Sequence, residues 1–386
     1  MTWSASLGVI ALAIWLYLLF ARGGFWLASH RDGPVHVGEI ERWPTVAAVV
    51  PARNEADVIQ RSLETLLRQD YPGPFRIVLV DDGSEDGTSL RAAEAIQTVD
   101  SRHRVDILRG RALPSGWTGK LWALEQGIAF ATPLERPDFL LLTDADIGHA
   151  PDAVRSLVAR AEREGFVLVS LMAELSCATW AERFLIPAFV FFFQMLYPFS
   201  WVARKECSTA AAAGGCMLIR RETMERAGGI GAIRSEIIDD CALARRLKKH
   251  GRIWLGLTRR ARSLRPYGGF AEIGRMISRS AYAQLRYSPL LLAGTVSGMF
   301  LVYVVPPLLG VFATGIAQGA GLCAWFVMAG VFQPILRFYR VSPLWGIALP
   351  AIGAAYIMFV VNSAFQVWRG RGGMWKGRAQ AMRGET

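Results

Sequence analysis

Cysteine is scarce and scattered in this chain of 386 residues: Cys177, Cys207, Cys216, Cys241 and Cys323 form no C-x-x-C pair and have no metal-ligand spacing with histidine. That pattern argues against a disulfide framework or a zinc site and suits a reducing compartment. Charge is absent from the first apolar run. Residues 3–20 carry no charged side chain, have no basic segment before them and no small-residue cleavage site after them. The run is close to the ~20 residues that span a bilayer, so residues 1–27 are expected to be a retained anchor and not a signal peptide. Arg22, His30 and Arg31 follow it and no charge precedes it, which by the positive-inside bias places the next domain in the cytoplasm.

Acidic residues are outnumbered, 32 against 43 basic, for a formal charge of +11. The basic residues cluster at 245–265 and 369–383, beside apolar segments. Anionic lipid headgroups suit that placement better than nucleic acid, which is not an expected partner. Hydrophobic residues make up 52% of the chain and the mean hydropathy is +0.28, yet the middle reads as a soluble α/β protein. The apolar excess lies at the two ends. In the C-terminal region, 288–368, three spans are expected near 290–314, 321–336 and 344–365, ahead of a basic tail, 369–386. Three spans leave that tail outside, so either one segment is re-entrant or the tail departs from the positive-inside rule. Residues 184–202, apolar and interrupted by Pro187 and Pro198, are short for a straight span and are expected at the interface or in an acceptor channel.

Between the ends, apolar runs alternate with helical spacing. Strands are expected at 45–50, 76–80, 105–108 and 139–142 and a further short one following the stretch 210–219, with helices at 58–67, 92–96 and 121–130. This alternation predicts a mostly parallel sheet with helices on both faces. Three strands end in acids: Glu55, then Asp81 with Asp82, then Asp144 with Asp146. Ligands of open α/β sheets collect at the carboxyl ends of the strands. The two hard oxygen ligands Asp144 and Asp146 on one turn suit Mg²⁺ or Mn²⁺, which in turn holds a diphosphate. Gly116-Trp-Thr-Gly119-Lys120 enters a helix, where exposed backbone amides and the Lys120 charge suit phosphate. The small, flexible stretch from Ala210 to Ile219, with Gly214 and Gly215, suits close approach of backbone to a ligand. Glu236-Ile-Ile-Asp239-Asp240 opens another helix with more acid than a cap requires, so a catalytic carboxylate is expected there. Arg279 and Arg286 lead into the apolar C-terminal third.

Taken in order, Pro51-Ala-Arg53-Asn54-Glu55, Asp81-Asp82-Gly-Ser, Gly119-Lys120, Asp144-Ala-Asp146 and Asp239-Asp240-x-x-Leu243-x-x-Arg246-Leu247 resemble the motifs of family 2 glycosyltransferases. The resemblance covers roughly residues 44–256 and implies a Rossmann-like GT-A fold of the α/β class in a domain spanning 44–287. With the N-terminal anchor, Gln284-Leu-Arg-Tyr-Ser288 and Trp375-Lys-Gly-Arg378, the whole chain is most similar to the hopene-associated glycosyltransferases of bacterial hopanoid biosynthesis, and in layout to ceramide glucosyltransferases. The resemblance implies that Pro51, Arg53, Glu55, Asp81, Asp82, Lys120, Asp144, Arg279 and Arg286 bind a nucleotide sugar, of the UDP type. It implies that Asp144 and Asp146 bracket the metal, and that Asp240, with Asp239 beside it, is the base. Asp239 stands where glutamate is common, and no strict Q-x-x-R-W follows. The missing motif and the few spans argue against a processive polymer synthase. The expected function is inverting transfer of a sugar to a membrane lipid at the bacterial inner membrane. Polyprenyl phosphate, a ceramide-type lipid, and a non-catalytic scaffold are the rival readings.

Overall fold

A computed structural model describes residues 2–33 and 40–370, with the backbone of 374–375 and 378–379. Pro34 of the linker, Lys376, Gly377 and most of the basic tail lie outside the described residues. The chain divides into two compact units.

One unit comprises residues 30–176, 201–266 and 374–386. Its centre is an eight-stranded sheet of β1 (Val46–Ala52), β2 (Phe75–Asp81), β3 (Arg104–Arg109), β4 (Phe139–Thr143), β5 (Ile147–His149), β6 (Phe166–Glu174), β7 (Cys216–Arg220) and β8 (Arg252–Ser263). The order across it is β3-β2-β1-β4-β7-β6-β8-β5. β3, β2, β1 and β4 run parallel, β7 is antiparallel to both β4 and β6, and β8 is parallel to β6 and antiparallel to β5. Every residue of β1, β2 and β4 is buried, as expected of strands covered on both faces. Gly127, in the helix Gly119–Glu135, lets that helix approach the sheet; a Cβ there would lie 2.4 Å from Val49 Cγ1. This is the mostly parallel α/β sheet that the alternation predicts. β5, β6 and β8 are additions to the expected strands.

Pairing sets the geometry of the edge where the acids lie. β1 and β2 run in register from Val46 with Phe75 to Ala52 with Asp81, so their carboxyl ends finish together. Because β7 is antiparallel to β4, with Thr143 opposite Cys216, its start returns to that same edge. Gly214 and Gly215 are thereby delivered beside the end of β4. Two basic residues here are held internally: Arg260 of β8 pairs with Asp32 at 3.1 Å and Asp152 at 2.8 Å, and Arg265 in the loop after it pairs with Glu55 and Asp57. This part of the 245–265 cluster therefore spends its charge on acids of its own unit and not on headgroups.

The other unit comprises residues 1–29, 177–200 and 267–373. Four of its helical stretches, Trp3–Phe20, Pro289–Phe312, Gly315–Phe338 and Leu349–Trp368, are long and apolar enough to cross a membrane. Residues 180–196 form one helix through Pro187, opened by a capping box between Thr179 and Glu182. Small residues set the close contacts: a Cβ on Gly8 would lie 3.2 Å from Ala320 Cβ, and one on Gly353 would lie 2.6 Å from the Tyr303 ring. The second stretch has a π-helical turn at Phe300–Val304 just before Pro306. Pro306 has no N–H for the Val302 carbonyl four residues back, and the Trp15 indole N–H takes that place at 2.9 Å.

Candidate active site

The turn after β1 is stitched to the turn after β2. Arg53 donates to the carbonyls of Asp82 and Gly83. Asn54, at φ 50°, donates its amide to Ser84 Oγ at 2.9 Å and accepts from the Glu85 amide at 3.0 Å. Asn is one of the few side chains that enters that region readily. The Glu55 amide donates to Thr88 Oγ1 at 2.8 Å. Asp81 uses both oxygens to hold its own turn, accepting from the Ser84 amide and the Ser89 hydroxyl. Glu55, Asp81 and Asp82 are all buried, as is Pro51 within β1.

Three of the predicted motifs meet at Lys120. Its Nζ lies 2.9 Å from Asp144 Oδ1 and 3.3 Å from Asp239 Oδ2. Burial alone would lower its pKa, but Asp144, Asp239 and Asp240 together raise it, so the ammonium stays charged. Thr118 caps the helix that carries it by accepting from the Leu121 amide. Asp239 and Asp240 open the helix Asp239–Leu247, where carboxylates favour the positive helix end. Asp240 Oδ2 accepts from the Gly214 amide at 2.9 Å and Oδ1 from the Cys241 amide at 2.7 Å. The backbone approaches the cluster closely at Gly214, where a Cβ would stand 3.2 Å from Lys120 Nζ and 3.5 Å from Asp240 Oδ2. Burial and the neighbouring Asp239 push the Asp240 carboxyl up to about 6, against the pull of Lys120. Such a carboxylate is ionised at neutral pH and basic enough to take a proton.

Asp146 is pushed up to about 6 by burial, Asp144 and Glu55, with Arg265 only partly offsetting them. Arg265 Nε stands 3.8 Å from Asp146 Oδ2 while its Nη atoms pair with Glu55 and Asp57. Asp144 and Asp146 thus fit a divalent cation: hard oxygen donors on one turn whose mutual repulsion a cation would relieve. Among the described residues no group of three or more His, Cys, Asp or Glu is placed to hold a metal. Two carboxylates leave the remaining positions to water and substrate phosphates, the usual arrangement for Mg²⁺.

Of the expected site residues, Pro51, Arg53, Glu55, Asp81, Asp82, Lys120, Asp144, Asp146, Asp239 and Asp240 lie in the sheet unit, and Arg279 and Arg286 belong to the helical unit. Arg265 and Asp57 were not expected; the one available signal is a lone arginine before Pro266, just past the last strand.

Residues 47–228 match the family model described as Glycosyl transferase family 2. An N-acetylglucosaminyltransferase of Rhizobium leguminosarum bv. viciae is 29% identical over 192 residues, 47% of this chain and 40% of that protein. The chain thus matches less than half the length of that relative. A mannosyltransferase from Pyrobaculum calidifontis, solved with GDP-Man and Mn²⁺, superposes with a TM-score of 0.56 at 18% identity over 95% of this chain and 99% of its own. Glucosyl-3-phosphoglycerate synthase of Mycobacterium tuberculosis superposes at 0.39, with 21% identity over 63% of this chain and 79% of its own. The match shows a segment similar to family 2 glycosyltransferases on a sheet of GT-A fold, in a chain that also carries four apolar helices able to cross a membrane.

Proposed function

We propose that this chain is an inverting glycosyltransferase that moves a sugar from a nucleotide-sugar donor to a lipid acceptor in the membrane, with its sheet unit in the cytoplasm. The observation that carries the reading is the gathering of Asp144, Asp239 and Asp240 around one half-buried ammonium at the carboxyl edge of a GT-A sheet. Asp144 and Asp146 would hold a divalent cation, which when bound neutralises the leaving diphosphate. Asp240 takes the proton of the acceptor hydroxyl as that oxygen attacks the anomeric carbon opposite the diphosphate. Lys120 holds Asp144 and Asp239 in place, and Glu55 and Asp82, buried at the ends of the stitched turns, line the nucleotide side.

The mannosyltransferase of similar fold was solved with GDP-Man and Mn²⁺, which supports a nucleotide sugar and a divalent metal here. A UDP-sugar donor, a role for Arg279 and Arg286 at the donor, and a place among the hopene-associated transferases extend the reading on the motifs alone. So does the partition into an anchor, a catalytic domain with an interfacial segment, three C-terminal spans and a basic tail. The test is a thermal-shift screen of UDP-Glc, UDP-GlcNAc and GDP-Man with and without Mn²⁺, because a ligand of the native state stabilises it as RT ln(1 + [L]/Kd). One donor that stabilises only with Mn²⁺ and is consumed with a membrane lipid extract supports the reading. No Mn²⁺-dependent shift with any of the three contradicts it. Labelling of Glu85→Cys, exposed in the turn after β2, tests the orientation: labelling of intact cells by an impermeant reagent would contradict a cytoplasmic sheet unit.

A further inference from the structure

Thr143 and His149 take part in no step above, yet they flank the Asp144–Asp146 turn and are only 1% and 4% exposed. Thr143 Oγ1 lies 2.8 Å from the Gly215 carbonyl oxygen and 2.9 Å from His149 Nε2. A carbonyl only accepts, so the hydroxyl proton goes to Gly215 and the imidazole must donate Nε2–H to Thr143. The ring is then the Nε2–H tautomer, and its Nδ1 is a buried acceptor with no partner. Burial depresses the ring's pKa to about 4, so it holds this neutral form at physiological pH.

The Gly215 carbonyl also receives the Asp144 amide at 3.4 Å, and the adjoining Gly214 amide holds Asp240 at 2.9 Å. One peptide pair therefore carries both the turn of the strand-end acids and the base. Ser170 fastens the preceding residue, accepting from the Ala213 amide at 2.8 Å and donating to its carbonyl at 3.2 Å. A buried imidazole with an unsatisfied nitrogen carries a desolvation cost that an apolar side chain would avoid. That cost is offset where the ring orients something the reaction needs.

We propose that Thr143 and His149 are positioning residues for the transfer: the chain from imidazole to hydroxyl to the Gly215 carbonyl sets the Gly214–Gly215 backbone, and with it the separation between Asp144 and the Asp240 carboxylate. The inference rests on the reading of Asp240 as the base.

The test compares full-length Thr143→Val, Thr143→Ser, His149→Phe and His149→Gln with the wild type. Donor Kd and the release of nucleoside diphosphate are measured with UDP-Glc and GDP-Man, Mn²⁺ and lipid extract. Valine keeps the shape of threonine without its hydroxyl, and phenylalanine keeps a ring without a donor; serine and glutamine restore the hydrogen bonds. Thr143→Val and His149→Phe should lower kcat on the order of 10- to 100-fold, the scale of a slight misplacement of reacting groups. Donor Kd should stay within about twofold of wild type, since the loss falls on the transition state. Thr143→Ser and His149→Gln should recover most of the rate. Wild-type rates in the valine and phenylalanine variants, or serine and glutamine doing no better than they do, would overturn the inference. If Thr143→Val does not fold, the His149 pair decides by the same criteria. A wild type that turns over no donor overturns this inference and the functional reading together, whereas an active wild type with unimpaired variants overturns this inference alone.

Discussion

The two units treat the same side chains in opposite ways. In the sheet unit every residue of β1, β2 and β4 is buried. In the helical unit Trp3 is 89% exposed and Leu290 85%, and Phe312, Phe326, Leu344 and Trp368 also face outward. So large an apolar surface marks an interaction face in water, whereas in hydrocarbon it is simply the surface that meets lipid. Polar groups differ in the same sense. Inside the helical unit, side chains are spent on main-chain carbonyls: Trp15 on Val302, Ser278 on Phe359, Tyr356 on Leu185, as a medium without water demands. The sheet unit instead keeps under-compensated carboxylates, with Asp146 and Asp240 both raised to about 6. The helical unit turns these side chains onto its own backbone, and the sheet unit holds carboxylate charge in reserve at the strand edge where a charged ligand would bind.

The sharpest break of that contrast is Asp240→Asn. If the reserved charge is the base, kcat falls roughly 10²- to 10⁴-fold, the usual share of general base catalysis, with donor affinity nearly intact. In the wild type, kcat should rise with pH through about 6, where Asp240 ionises, and level off above; steady-state rates from pH 5 to 8 check both. The sign for stability is the reverse. A carboxyl raised in the folded state stabilises the fold as pH falls from about 6 towards the ordinary aspartate value of 3.8. Acidification should therefore cost activity before it costs this part of the structure.

Lys120→Met comes next. It removes the ammonium between Asp144 and Asp239 and should cost roughly 1–3 kcal/mol of stability. That is less than a fully buried pair would lose, because Asp144 is 35% exposed and solvent screens it. Thermal melts at pH 7.5 and pH 5 check it: protonation of Asp240, raised to about 6, removes one of the charges that Lys120 balances and should shrink the loss at the lower pH. In the helical unit Trp15→Phe should cost roughly 0.5–1.5 kcal/mol, the scale of a side-chain hydrogen bond within a membrane. Melts in detergent and in lipid nanodiscs would measure that loss. An unchanged melting point in both would show that the Val302 carbonyl finds another donor.

The edge of acids was legible because buried parallel strands read as unbroken apolar runs, and each of these ends abruptly in carboxylates. The parallel half of the sheet follows from the same runs. β8 was hidden because its second half, Leu257 to Ser263, carries arginines whose acidic partners are distant in sequence: Asp32 and Asp152 for Arg260. The link from Arg265 to Glu55 and Asp57 was hidden for the same reason. The meeting of Lys120 with Asp144 and Asp239 depends on β7 running back against β4. No local periodicity encodes which way a strand returns. Thr143 and His149 were invisible for a different reason, since a threonine at a strand end and a histidine in a short strand carry no pattern of their own. The helical unit was legible as spans from hydropathy, whereas its hydrogen bonds to carbonyls were not, because each joins residues far apart in the chain.

The central claim is that the strand-edge carboxylates form a cation-dependent site for a nucleotide sugar, and Asp146→Asn tests it most directly. Donor binding to the full-length protein is followed by thermal shift, with UDP-Glc and GDP-Man, with and without Mn²⁺. The account predicts a Mn²⁺-dependent stabilisation in the wild type that vanishes in Asp146→Asn, in a protein that still folds. A variant that binds donor with undiminished Mn²⁺ dependence would contradict it.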